Sequence, residues 1–185
     1  MDIRKYQDKD KKNLQYICIA TARPLPKNQK ERDIVTLLYN DYFTENESEN
    51  IFVAVNDDDD AIGYIICSTD YKKFKSVLKK RYLPKLWKLS KKKWLLMRLE
   101  FLIDNRLTKK YPAFLHINIL DGYQRKGLGH KLMDALVGHL RNQGVKGVML
   151  GVGSDNEKGI SFYKKYGFHE VMKLPGALKM GLFIE

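Results

Sequence analysis

Three glycines and several basic residues crowd the stretch LDGYQRKGLGHKLMDAL, residues 120–136, immediately ahead of an amphipathic helix. A helix N-terminus presents backbone N–H groups without partners and the positive end of the helix dipole, so it receives anions. Glycine at 127 and 129 lets the backbone approach an anion closely and take conformations closed to other residues. Arg125, Lys126 and His130 add donors or charge at the same point. A pyrophosphate is the predicted occupant; a purely structural turn is the other reading. The Walker pattern is absent, and the dinucleotide fingerprint fails because Leu132 stands where its third glycine belongs.

Other reactive residue types suggest less. Cys18 and Cys67 lie inside apolar runs without metal-ligand spacing, so buried, inert thiols are expected. The run Asn56-Asp57-Asp58-Asp59-Asp60 lacks the alternating ligands and closing glutamate of a calcium loop, and it reads as a solvated hairpin turn. No metal site is expected.

The elements that must position the loop follow from periodicity. DIRKYQ reads as a first strand, with Asp10 a candidate cap for the helix carrying Leu14, Ile17 and Cys18. Pro24 and Pro26 end that helix, and a second is expected over 28–43. IFVAV and AIGYIIC flank the acidic turn as a strand pair. Residues 71–110 read as a helical insertion, with Pro84 in a first turn and the apolar stretch Trp94–Ile103 expected to pack into the body. AFLHINIL is a strong strand after Pro112. The glycine loop and a helix to about Asn142 follow, with Gly144 as C-cap. GVMLGVG is a strand, NEKGISFYKKY a helix, and the two segments about PGA a closing hairpin. Strand–helix–strand order makes AFLHINIL and GVMLGVG parallel partners.

Gln124-Arg125-Lys126-Gly127-Leu128-Gly129 matches the [QR]-x-x-G-x-[GA] signature of the GNAT N-acetyltransferase superfamily, between the fourth strand and its following helix. Downstream, Asn156-x-x-x-Ile160-x-Phe162-Tyr163-x-x-x-Gly167-Phe168 resembles that family's second motif. The resemblance implies an α/β (α+β) GNAT fold in a single domain, 1–185. Its central mixed, mostly antiparallel sheet would splay between strands 4 and 5, with helices on both faces and the basic insertion between strands 3 and 4. It also implies acetyl-CoA as cofactor, its pyrophosphate on the backbones of Arg125 through His130 beside Gln124. Ile117, Ile119 and Leu120 would pair with the pantetheine arm as an added strand does. Asn156 matches a cofactor-bonding position, and a plain helix N-cap is its other reading. Tyr163 matches the residue that protonates the departing thiolate; a core aromatic is the alternative. For the general base the fourth strand offers His116, which a structural histidine would equally explain. Asp121, Lys126 and Gly159 depart from the commonest residues without removing a necessary donor. The strand and loop also resemble the acetyltransferase-like domains of some O-GlcNAc hydrolases, where activity is doubtful.

Charge bounds the partners. Of 34 basic residues, twelve lie between 71 and 99 with no acid among them, so the other 22 balance the chain's 22 acidic residues. An acidic acceptor would be drawn to that segment, and a solvated helix face is its bland reading. The expected activity is transfer of acetyl to an amine on a small molecule or peptide, by a monomer or homodimer. Alternatives are a catalytically silent acyl-CoA-binding module, or a nucleic-acid or anionic-surface binder using 71–99. The charged N-terminal residues resemble no signal peptide and no apolar run reaches the roughly 18 residues of a membrane span, so a cytoplasmic protein is expected.

Overall fold

Strands with period-two alternation form one sheet whose two faces are both buried, as the computed structural model of residues 1–185 shows. The strands are β1 (Asp2–Lys5), β2 (Phe52–Val55), β3 (Ala61–Ser68), β4 (Ala113–Ile119), β5 (Gly147–Gly153), β6 (His169–Leu174) and β7 (Ala177–Phe183). Their order is β1-β2-β3-β4-β5-β7-β6. Only β4 and β5 run parallel; the other neighbours are antiparallel. The closing hairpin forms as expected, and its second strand inserts beside β5. This is the α/β arrangement the resemblance implied.

Helices α1 (Lys11–Ala20), α2 (Gln29–Tyr39), α3 (Asp41–Asn46), α4 (Tyr71–Val77), α5 (Leu83–Leu89) and α6 (Lys91–Asp104) precede β4. Val53, Tyr64, Ile66, Phe114 and Met149 pack with residues of these helices on one face of the sheet. Helices α7 (Leu128–Asn142) and α8 (Glu157–Tyr166) cover the other, where Ile65, Leu115, Val148 and Leu150 meet Leu132, Met133 and Leu136.

Several local expectations change. The helix foreseen over 28–43 breaks at Asn40, whose φ of −137° is not helical. Asp10 stands at the entry of α1 without capping it. Its carboxylate, 2% exposed, takes a bidentate pair from Arg4 at 2.7 and 2.9 Å and the Gln7 N–H at 2.9 Å. Helix α6 reverses its expected packing. Phe101 and Asp104 alone are buried, while Leu95, Leu96, Leu99 and Leu102 face outward. The cationic first half of the segment is what packs inward, through Tyr71, Phe74, Leu78, Tyr82, Leu83 and Leu86.

The acidic turn forms a hairpin: Asn56 Oδ1 accepts from the amides of Asp58 and Asp60, and Asp59 pairs with Arg4 and Lys9. Cys18 and Cys67 are both buried, and burial holds the Cys18 thiol up at about 11. No helix is long and apolar enough to cross a membrane.

Candidate functional site

The sheet opens at its one parallel contact. β4 and β5 pair only at Ala113 with Val148 and at Phe114 with Met149, after which they part. From Leu115 to Ile119, β4 therefore bonds to β3 alone. Ile117 and Ile119 face the α7/α8 side of this gap, and His116 faces the α1/α2/α6 side.

The glycine loop leaves β4 at that opening. Gln124 Nε2 donates to the Ile119 carbonyl and to Asp121 Oδ1, both at 2.9 Å, tying the loop back to the strand. Arg125 has φ +61° and Gly127 φ +80°, two successive visits to the left-handed region that turn the chain into α7. No backbone amide from Arg125 through His130 donates to a protein acceptor. The first to do so is Lys131, to the Gly127 carbonyl at 3.2 Å. Arg125, Lys126 and His130 are exposed beside these free donors. The arrangement is a concave set of N–H groups at a positive helix end, which suits a multiply charged anion.

The two loop glycines serve different ends. A side chain at Gly127 would meet nothing within 4 Å, so its left-handed backbone is what requires glycine. At Gly129 a Cβ would come 3.1 Å from the Phe162 ring, so bare backbone there lets α7 and α8 approach.

Asn156 caps α8, its Oδ1 accepting from the Gly159 amide at 3.0 Å. A Cβ at Gly159 would strike this side chain at 2.6 Å, so glycine suits the position. Tyr163 packs against Phe162 and Phe168. Burial alone raises its phenol to about 12. His116 lies among the rings of Tyr39, Phe43 and Phe114, with centroids 5.2, 5.9 and 4.8 Å away. Burial and then the Lys179 ammonium push it down to about 3, so the imidazole is neutral at neutral pH.

Sequence reasoning missed a charged cluster on the His116 side. Lys179 of β7 is 1% exposed, and its Nζ donates to Glu100 Oε1 at 2.5 Å and Asp104 Oδ2 at 3.0 Å, both on α6. Tyr71 donates to the same Asp104 oxygen at 2.7 Å. The available signals were a lysine on the alternating face of ALKMGLF and two acids four residues apart, one helical turn, at the end of a basic segment.

The chain matches the family model described as "Acetyltransferase (GNAT) family" over residues 18–168. Its structure is similar to that of SsHAT, with TM-score 0.87 and 25% identity over 100% of this chain and 98% of that one. It also resembles PaiA N-acetyltransferase from Thermoplasma acidophilum, solved in complex with coenzyme A. There the TM-score is 0.64 at 16% identity, over 98% of each chain. Ard1 from Thermoplasma volcanium gives TM-score 0.63 at 22% identity, over 100% of this chain and 97% of that one.

Proposed function

The chain belongs to the GNAT acetyltransferase family, and from that premise we propose that it uses acetyl-CoA to acetylate an amine. The observation that carries this reading is the run of free amides at 125–130, set where β4 and β5 part. The coenzyme A in the PaiA complex supports the same cofactor.

The backbone N–H groups of Arg125, Lys126, Gly127, Leu128, Gly129 and His130 would hold the pyrophosphate, and the cationic side chains would add a screened attraction. Gln124 fixes the loop rather than reaching the ligand, since both its contacts run backward. The free edge of β4 at Ile117 and Ile119 would accept the amides of the pantetheine arm, and Leu120, whose N–H donates to the Ile62 carbonyl at 3.0 Å, would close the strand beside it. Asn156 already caps α8 through Oδ1, which leaves its Nδ2 to donate. Bound in this way, acetyl-CoA supplies an activated acetyl thioester.

Tyr163 keeps its proton at neutral pH and offers it to the sulfur that leaves. A phenol at about 12 is well above the optimum for an acid working near neutrality, so its contribution belongs at the lower end of the usual range. Tyr163→Phe is expected to lower kcat by about 100-fold while leaving the dissociation constant for acetyl-CoA unchanged. A kcat within threefold of wild type, in a variant of unchanged melting temperature, would return Tyr163 to the role of a core aromatic. His116 is too weak a base to collect the amine's proton, and we read it as the neutral aromatic wall of the acceptor side.

The acceptor enters from the α1/α2/α6 face, because α7, α8 and the loop occupy the other. The basic 71–99 segment packs on that side of the sheet through Tyr71, Phe74 and Leu86, and its cations would concentrate an acceptor with anionic character. Calorimetric titration with acetyl-CoA tests the reading most directly. Saturable binding supports it, and no binding at low or moderate salt sinks it.

A further inference from the structure

Helix α6 reaches the opening of the sheet through two carboxylates. The pairing of Phe114 with Met149, continued two residues, sets His116 of β4 opposite Gly151 of β5 across the gap. Lys179 pairs with Gly151 on the far side of β5. Because Gly151 has no side chain, the lysine can lie across it: a Cβ there would stand 3.5 Å from Lys179 Nζ and 3.7 Å from Cδ. The ammonium thereby comes within 5.7 Å of the Phe114 ring centroid, at the mouth of the opening beside His116.

Two carboxylates hold this one ammonium, so the cluster carries an excess negative charge. The surplus sits at two named oxygens. Asp104 Oδ1 is buried without any hydrogen-bond partner, in a residue 1% exposed. Glu100 has one oxygen on Lys179 and a side chain 41% exposed, so its second oxygen faces outward. Tyr39, whose ring stands 5.2 Å from His116, is 40% exposed on the same side of the sheet. The rim therefore consists of Tyr39, His116 and Glu100, with Lys179 buried behind it. Among them only Glu100 presents a charged group to solvent.

Resting on the acetyltransferase reading above, we propose that Glu100 is the acceptor-side carboxylate: its outward oxygen binds the acceptor's ammonium group and takes the proton that must leave before the nitrogen can attack. The substrate class is a primary amine that arrives protonated. The transfer balances. Glu100 accepts one proton from the ammonium, and the freed nitrogen forms a bond to the acetyl carbonyl carbon. The carbon–sulfur bond breaks, and sulfur leaves with the electron pair to take the Tyr163 proton. The new amide nitrogen loses its second proton, which restores Tyr163 through solvent, and Glu100 releases its own. One proton is produced per turnover. Lys179 and Asp104 position Glu100; they do not touch the acceptor.

The test reads binding before turnover. Protein saturated with coenzyme A is titrated with n-butylamine hydrochloride at neutral pH while the ring resonances of His116 are followed by NMR. Wild type, Glu100→Gln and Glu100→Asp are compared. A saturable shift is expected in wild type. It should weaken by about tenfold or more in Glu100→Gln, the size of one charge-assisted hydrogen bond, and recover in part in Glu100→Asp. Both variants should bind coenzyme A as wild type does, since Glu100 lies on the opposite face from the loop. Equal titrations of wild type and Glu100→Gln overturn the proposal, and so does the absence of any shift in wild type. Failure of wild type to bind coenzyme A sinks the acetyltransferase reading instead; the same amine titration on the free protein then still decides whether Glu100 binds ammonium.

Discussion

Gly127→Glu is expected to weaken acetyl-CoA binding by about 100-fold, with an unchanged far-ultraviolet circular dichroism spectrum. Two costs are involved, and they separate cleanly. The first is backbone strain. Gly127 holds φ +80°, and a residue with a Cβ pays about 1–2 kcal/mol to stay there. That cost falls on the folded protein whether or not ligand is bound, so it lowers the melting temperature and leaves the dissociation constant alone. The second is charge. A carboxylate about 6 Å from two negative phosphates costs about 3 kcal/mol at an effective dielectric of about 40, which is about 100-fold in affinity. Nothing lies within 4 Å of the position, so the new side chain clashes with no protein atom. Gly127→Ala provides the control. It carries the strain without the charge, so it should melt lower yet bind acetyl-CoA nearly as wild type does. Isothermal calorimetry on the three proteins is the measurement. Undiminished affinity in Gly127→Glu would remove the pyrophosphate from this loop.

Lys179→Met should be the most damaging single change to stability outside the apolar core. It leaves Asp104, 1% exposed, with no cation and an oxygen already lacking a partner. Removing one member of a buried ion pair costs about 3–5 kcal/mol, which in a domain of this size lowers the melting temperature by about 10 °C. The pH dependence follows from the two groups. At Lys179 burial opposes the charge, and Glu100 and Asp104 outweigh it, so its folded pKa lies above the ordinary lysine value. A raised lysine contributes fully below its unfolded pKa and loses that contribution only as pH climbs through the folded one. Wild type therefore keeps this support through neutral and acidic pH. Asp104 is raised by burial, against the pull of Lys179 and Tyr71. Without the ammonium it rises further, and protonating it relieves the buried charge. The deficit of Lys179→Met should accordingly be largest at pH 8 and shrink toward pH 5. Adding Asp104→Asn should recover part of the loss at neutral pH. Thermal denaturation at the two pH values decides the matter, and a drop smaller than about 2 °C at both would mean the cluster contributes little.

What was legible in the sequence was local. The glycine loop, the start of α7 and the cap of α8 each depend on residues within one turn of each other, where φ preference and capping chemistry act directly. Asn156 does cap α8, and Gly144 does follow α7 in a left-handed conformation. The parallel pairing of β4 and β5 followed from their connection through a single helix. The charged cluster was hidden because it joins residues 71, 100, 104 and 179, and no short window contains its logic. Helix α6 misled for a different reason. Its apolar residues outnumber what one face can bury, and composition alone does not say which of them turn inward. Leu95, Leu96, Leu99 and Leu102 remain outside, while the inward positions go to Phe101 and Asp104. Asp10 looked like a cap because helix entries favour aspartate, yet its bidentate pair with the partly exposed Arg4 displaced that local role. The place of β7 between β5 and β6 was beyond hairpin reasoning, which pairs neighbours in sequence and is silent about the strand on the other side.

The parting of β4 from β5 has a consequence for the life of the molecule. Strands with an unpaired edge are ordinarily a rim problem, managed with charge, proline or a covering loop because they recruit other chains. Here such an edge lies in the middle of a sheet, from Leu115 to Ile119, in an apolar stretch with no lysine or proline to guard it. A ligand that filled the slot would work as a plug as well as a reactant. By mass action it would add about 2.7 kcal/mol to folding at a hundredfold excess over its dissociation constant. The lifetime of this protein in a cell would then follow the supply of that ligand, and starvation for it would expose the chain to proteolysis and clumping before any substrate ran short.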